Sequence, residues 1–203
     1  MTTRTRARQQ PDETRTLILD NAEGLLRARP FRELSVDEVM RPTGYGRTVF
    51  YRHFSGLPDL VLAVLARVLP EFTAATQAFV EAAGEDLDLD RARARELLRP
   101  VVEHWAAHGP LMRAMRDAAV YDSTIDGLVS ATQNRFHEMI VSALQQRRAA
   151  GALQTADLEQ VAFLLESMNQ RYLLLAFGDG VQTDVEPAID TLALGWQAIV
   201  TAP

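Results

Sequence analysis

Eight consecutive residues, Arg47-Thr48-Val49-Phe50-Tyr51-Arg52-His53-Phe54, carry the densest chemistry in the chain. On a helix, Phe50 and Phe54 fall one turn apart on an inward face, which turns Thr48, Val49 and Arg52 outward and leaves Tyr51 and His53 on the flanks. The outward set matches the edges of DNA bases: Arg52 can pair with guanine, Thr48 can bond a base or a phosphate, and Val49 can touch a thymine methyl. Tyr51 and His53 suit phosphates and the docking register. Arg47, in the first turn, lies beside backbone N–H groups that also favour phosphate. The same face also fits the solvated side of a small helical bundle, and only the order of the surrounding segments distinguishes the two.

A second constellation is Glu103-His104-Trp105-Ala106-Ala107-His108, with two histidines four apart on one helical face, a spacing that can bind a metal. The glutamate precedes the first histidine, which is not the zinc-protease order. No third ligand is evident in the sequence, so the pair reads as structural or solvent-exposed. A metal-dependent enzyme is the alternative it keeps open. The chain has no cysteine, which excludes thiolate metal sites, disulfides and cysteine nucleophiles and suits a reducing cytoplasm. It also lacks a glycine-rich phosphate loop and a nucleophile elbow. The sequence therefore calls for no catalytic residue, no cofactor and no resident metal.

A third candidate is Asn169, an amide among Leu165, Met168, Tyr172 and Leu173. It is either a satisfied core or interface residue or the polar handle of an otherwise apolar small-molecule pocket.

The elements that position these residues are all helical. Glycine and proline divide the 203 residues into segments of helical length, and none shows sustained two-residue alternation. The first helix is expected over Thr14–Arg29, with Asp12 and Glu13 complementing its dipole. Ser35-Val36-Asp37-Glu38 is a capping box for a very short second helix that Pro42 and Gly44 end. Arg47–Phe54 is the third, and Pro58 opens a long fourth that Pro70 must bend or divide. Further helices are expected over Arg91–His108, Pro110–Tyr121 and Thr124–Ala149. Thr155 is expected to cap one reaching Phe177, and Thr183-Asp184-Val185-Glu186 to open the last, ending near Val200. The reading is an all-α chain of about nine helices: a basic arm over 1–10, a three-helix helix-turn-helix head over 11–57, and a helical body over 58–203.

Charge follows the same division. Net charge is −6, unusual for a general nucleic-acid binder. Yet residues 1–52 hold ten arginines against seven acids, a net of +3, while the remainder holds eleven against twenty, a net of −9. A positive head on a negative body is expected if only the head meets phosphate. Every basic residue is arginine, which offers bidentate contacts. Arg4, Arg6 and Arg8 form either a flexible arm for phosphates or a minor groove, or a solvated tail. No targeting segment and no spanning apolar run is present, so no membrane partner is expected.

The order of capping box, short helix, Gly44, Arg47–Phe54 and proline-opened helix resembles the DNA-binding module of the TetR family of transcriptional regulators over Thr14–Val64. Leu34-Ser35-Val36-Asp37-Glu38-Val39 is similar to the family's second helix, and Thr48–Phe54 to its recognition helix. By that resemblance Thr48, Tyr51 and His53 fall on positions used against DNA. Three departures stand out: Leu57 replaces a common phosphate-contacting lysine, Gly46 a capping serine or alanine, and Pro42 shortens the second helix. Further along, Met168-Asn169-Gln170-Arg171, Leu173 and Phe177, then Asp190-Thr191-Leu192 and Trp196, resemble the family's EthR-like subgroup. The resemblance implies a long apolar ligand channel involving Asn169, Leu173, Leu174 and Trp196, with Phe136 and Met139 on the facing helix. Val101, Ala94 and Val129 replace aromatic channel residues, and Glu166 replaces a neutral amide.

The last two helices are apolar on two sides. One face carries Val161, Leu164, Leu165, Met168, Tyr172 and Leu175, extended by Phe163, Leu174 and Phe177; the final helix adds Ile189, Leu192, Leu194, Trp196, Ala198 and Ile199. A helix apolar on two sides has two partners: its own core and, by symmetry, the same surface of a second subunit. The expected partners are thus a palindromic double-stranded DNA operator, a small hydrophobic ligand and a second copy of the chain. The expected role is a cytoplasmic repressor released by its ligand, with an activator of the same fold as the alternative.

Overall fold

The structure, a computed structural model, describes residues 11–86, 89–154, 157–180 and 184–200. Their regular elements are all helical: α1 (Pro11–Ala28), α2 (Val36–Met40), α3 (Arg47–Phe50), α4 (Leu57–Glu85), α5 (Arg91–Ala119), α6 (Ser123–Ala149), α7 (Leu158–Leu173) and α8 (Val185–Val200). Arg4, Arg6 and Arg8, the expected cap Thr155 and Thr183 of the last capping box lie outside the described residues.

The head is built from local signals. Pro11 opens α1, where a missing N–H costs nothing, and Ile18, Leu19, Ala22 and Leu26 are its buried stripe. Ser35 caps α2, accepting from the Glu38 amide at 3.4 Å while its hydroxyl donates to Glu38 Oε2 at 2.6 Å. A 3-10 turn over Arg41–Thr43 takes up Pro42, and Gly44 at φ 69° closes it in the left-handed region. Buried Thr43 fastens this turn: its hydroxyl donates to the Met40 carbonyl at 2.7 Å and accepts from the Tyr45 amide at 3.0 Å. The third helix is shorter than expected. Its α-helical part ends at Phe50 and turns carry the chain through His53.

Among the described residues eight α-helices replace the expected nine, because Gly109-Pro110 does not break the chain. α5 runs unbroken through Pro100 and Pro110, as α4 runs through Pro70. An interior proline costs about 3 kcal/mol. Trp105, Leu111, Met112 and Ala114 flank Gly109-Pro110 and are all buried; each large apolar side chain contributes about 1.5–3 kcal/mol, so together they outweigh that cost. Gly109 has a packing role instead. A Cβ there would lie 2.6 Å from the carbonyl carbon and oxygen of Phe177. Leu174–Phe177, expected to continue α7, instead belong to a π-helical turn over Leu174–Gly178 that lies against Gly109. Asp157 caps α7, accepting from the Gln160 amide at 3.1 Å, and Asp184 accepts from the Glu186 amide at 3.0 Å at the start of α8.

The body core lies among α4, α5 and α6, with α8 laid on α5 and α7 on α6. α4 and α6 approach closely at Gly84, where a Cβ would come 2.9 Å from that of Ala143. Beside it Arg147, 1% exposed, donates to the carbonyls of Ala83 and Asp86 at the end of α4 and of Val200 at the end of α8. A buried cation among C-terminal carbonyls satisfies both the hydrogen bonds and the helix dipoles. α8 is held to α5 by Arg95 and Arg99, which pair with Glu186, and by Arg95 with Asp190. Hydrogen bonds from Arg99 hold the Glu186 carboxyl below its ordinary pKa.

Candidate nucleic-acid interface and apolar cavity

Phe50 and Phe54 are buried under the recognition segment with ring centroids 5.6 Å apart, as the wheel requires. Thr48, Tyr51 and Arg52 are exposed and His53 is half-buried beside them. These four make the outward face. Tyr51 is 57% exposed although its ring packs edge-on against Phe50, so an aromatic group stands in solvent on a rigid base.

Two expected members differ. Val49 is half-buried and packs on the head core, because the short α3 does not turn it fully outward. Arg47 is not an unengaged phosphate contact: Nε and Nη2 donate to the two oxygens of Asp37 at 2.6 and 2.7 Å. The pair ties α3 to α2, and both side chains are exposed, so it stays accessible to phosphate. Gly46 provides no side-chain cap, and Leu57 packs against the head core.

The body encloses a cavity of about 370 Å³ between α4, α5, α6 and α7. Phe72, Val101, Trp105, Phe136, Leu173 and Leu174 supply its apolar wall, a character suited to a small organic molecule. Of the expected ligand residues, Phe136, Asn169, Leu173 and Leu174 line it. Met139 packs on the core instead, and Trp196 is buried behind Asn169. Trp196 Nε1 donates to Asn169 Oδ1 at 3.1 Å, while its ring meets Phe79 edge-on at 4.6 Å. Val101 and Val129 line the wall, and Ala94 is buried elsewhere.

Sequence reasoning missed Phe72, Trp105, Met112 and Met115, which also line the cavity. They come from α4 and α5, and their helical spacing is equally that of core residues. Polar groups interrupt the wall. Thr76 has a buried hydroxyl without a partner, and exposed Arg116 and Asp126 also border the space. Glu166 lines it too; its Oε2 lies 3.4 Å from His137 Nδ1, and burial raises its carboxyl above the ordinary pKa despite that partner.

The cavity wall leads toward the head. Phe72 lies against Trp105 and Phe136 edge-on and stacks on His104 at 5.4 Å. His104 faces His108 at 4.6 Å, and His108 Nδ1 lies 3.0 Å from Arg27 Nη2. Arg27, from α1, also donates to the Ala107 carbonyl at 2.7 Å and pairs with Glu23 at 2.9 Å. Burial lowers the pKa of both histidines, with the partner histidine adding at His104 and Arg27 adding at His108. Glu71 of α4, which the sequence spacing did not reveal, stands with the pair and offers a carboxylate oxygen near both rings. On the far side, Phe163 and Leu164 of α7 and Leu194 of α8 are more than half exposed.

The sequence matches the family description "Transcriptional regulator EthR, C-terminal domain" over residues 94–201 and "Bacterial regulatory proteins, tetR family" over residues 18–64. Among curated relatives, the HTH-type transcriptional regulator EthR of Mycobacterium tuberculosis strain H37Rv is 29% identical, over 94% of this chain and 88% of its own. The regulator of that name from Mycolicibacterium smegmatis is 26% identical over 85% and 79%. Among solved structures, the TetR-family regulator PfmR from Thermus thermophilus superposes with a TM-score of 0.70 at 17% identity, covering 90% of this chain and 98% of that one. SmeT, the repressor of the Stenotrophomonas maltophilia efflux pump SmeDEF, gives 0.63 at 20% identity, covering 91% and 88%. These structural likenesses establish the all-α fold, a helix-turn-helix head on a helical body. No helix among the described residues is long and apolar enough to cross a membrane. The C-terminal family alone accounts for more than half of the chain, and with the head it places this protein in the TetR family of DNA-binding transcriptional regulators, among its EthR-like members.

Proposed function

We propose that the protein is a cytoplasmic, dimeric repressor that leaves its operator when a small hydrophobic molecule enters the body. The observation that carries this reading is the continuity between the apolar cavity and the head contact: Phe72 lines the first and stacks on His104, whose neighbour His108 meets Arg27 of α1. A molecule that moves Phe72 is felt where the head is held.

Residues 11–57 act as the DNA-binding head and residues 58–203 as the ligand-binding and dimerisation body. Arg52 and Thr48 read bases, with the half-buried Val49 at the edge of that face, while Tyr51, His53 and, through exchange of its Asp37 partner, Arg47 hold phosphates. Two copies associate through α7 and α8, whose Phe163, Leu164 and Leu194 are the exposed apolar residues an isologous interface would cover. The two heads then address half-sites of a palindromic operator roughly 34–36 Å apart. Phe136, Asn169, Leu173 and Leu174 contact the ligand; Trp196 acts by holding Asn169, and Met139 by supporting the wall. For release, the ligand must bind the non-DNA state more tightly, because equal affinity shifts nothing.

Fluorescence anisotropy tests the reading: the protein is titrated against DNA from upstream of its own gene and against a scrambled duplex at about 0.15 M salt, where unspecific attraction is largely screened. A preference of roughly a thousandfold, lost on adding an apolar compound that raises the melting temperature, is the expected result. Specific binding that every cavity-binding compound leaves intact sinks ligand release. Activation and repression are separated by a promoter-reporter assay with the gene deleted, in which repression requires reporter output to rise.

A further inference from the structure

Two histidines and a carboxylate meet outside the cavity, where α4 and α5 pass beneath α1. His104 and His108 stand one turn apart on α5, and Glu71 comes from α4; one ligand atom from each lies within 4.8 Å of the other two. His104 is 9% exposed, and its Nε2 is buried with no hydrogen-bond partner, so a polar atom in a packed setting is left unsatisfied. Glu71 is exposed, free to change rotamer and close the set.

We propose that Glu71, His104 and His108 bind one divalent transition-metal ion of the zinc type, and that its binding releases Arg27 from His108. Two imidazoles and one carboxylate form a recognised zinc ligand set that leaves a fourth tetrahedral position for water. The two nitrogens select against Mg2+ and Ca2+, which prefer all-oxygen shells. With metal–ligand bonds of about 2.0–2.2 Å, neighbouring donor atoms in a tetrahedral site stand roughly 3.3 Å apart, a contraction that side-chain rotation supplies.

The release follows from counting lone pairs. Arginine has only donors; with Arg27 Nη2 at 3.0 Å, His108 Nδ1 is the acceptor and its proton is on Nε2. A neutral imidazole has one such acceptor nitrogen. A metal on Nδ1 takes the place of Arg27. A metal on Nε2 requires the proton to move to Nδ1, where it faces a guanidinium donor. Either way the Arg27–His108 bond, one of the contacts between head and body, is lost, and the dication repels the guanidinium. Arg27 keeps Glu23 and the Ala107 carbonyl, so α1 loosens without detaching. The metal would sit outside the apolar cavity but next to its wall, where Phe72 stacks on His104, so it acts on the same contact with Arg27.

The test uses the full-length, untagged protein after treatment with a chelator, titrated with Co2+ by absorbance and with Zn2+ by competition against a chromophoric chelator. One equivalent per chain at about 10 µM or tighter is expected, weakened at least about tenfold by Glu71→Gln and by His108→Ala and unchanged by His137→Ala. Glu71→Gln alters an exposed residue, so its loss of binding with an unchanged melting curve reports ligation rather than misfolding. Absence of saturable binding overturns the site, as does equal binding by wild type and both variants. Release is read by hydrogen exchange over residues 20–34, which rises in wild type on adding Zn2+. In Arg27→Ala it is raised beforehand and insensitive to metal. Unchanged exchange in the metal-saturated wild type overturns the release.

Discussion

Trp196 Nε1 donates to Asn169 Oδ1 at 3.1 Å, so the amide oxygen is held from behind and the cavity meets a fixed amide rather than a free rotor. The bond accounts for two residues that the family resemblance groups as ligand contacts: one borders the space and the other aims it. A double-mutant cycle with Trp196→Phe and Asn169→Leu is expected to give a coupling of about 1 kcal/mol in melting experiments. Asn169→Leu is also expected to shift the dose of an apolar compound that displaces DNA, with DNA affinity in its absence unchanged. Additive melting effects would remove the orienting role.

Reversing the charge of Arg52 is expected to cost specific DNA binding at least about a hundredfold, since a bidentate base pair contributes roughly 1–3 kcal/mol and the new carboxylate repels phosphate. Arg52 is exposed in the turn that follows α3, so Arg52→Glu should leave the melting temperature and the dimer unchanged. Anisotropy and sedimentation measure the two separately. Retained specific binding would exclude Arg52 from base reading.

Gly109→Ala is expected to destabilise the body by at least about 2 kcal/mol. Its Cβ would lie 2.6 Å from backbone atoms of Phe177, which cannot swing aside as a side chain can. The π-helical turn or α5 must shift, so denaturant unfolding should be accompanied by a change in cavity binding. Gly127→Ala, whose added Cβ meets nothing within 4 Å, is the control and should be neutral or slightly stabilising.

Arg147→Met is expected to cost about 3 kcal/mol. It removes a buried cation that serves carbonyls at the ends of α4 and α8 and leaves those acceptors in an apolar setting. A shift of the urea midpoint with an unchanged slope is the expected signature.

Glu166 predicts a pH dependence of opposite sign to an ordinary ion-paired carboxylate. Burial raises its pKa in the folded chain, so the folded state binds the proton more tightly than the unfolded one and the penalty of the charged form is fully present above the folded pKa. That penalty fades as pH falls through the folded pKa toward the unfolded value. Glu166→Gln should therefore raise the melting temperature at pH 7.5 by roughly 2–4 °C per kcal/mol of relieved desolvation for a chain of this size, and the gain should vanish near pH 4. A constant gain across that range would assign the effect to packing.

The head was legible because its information is local. Ser35, Pro42, Gly44 and the phenylalanines at 50 and 54 each act on neighbours within a turn or two, through caps, turns and the helical repeat, and tertiary contacts only add detail such as the Arg47–Asp37 pair. The body was legible as helices but not as a site. Spacing alone cannot tell a wall residue from a core residue, so Phe72 and Trp105 read like any buried aromatics, while Met139 and Trp196 were assigned to the cavity by likeness. Gly109-Pro110 carries strong breaking signals, yet burial on both sides of it keeps α5 whole. The sequence by itself thus determined an all-helical chain with a legible helix-turn-helix, since hydrophobic period, capping and charge act along the chain. Only the tertiary structure decided which side chains share the cavity, that Trp196 stands behind Asn169, and that Glu71 joins His104 and His108 beside Arg27. Those relations depend on how separate helices cross, and crossing is set by packing between residues far apart in sequence.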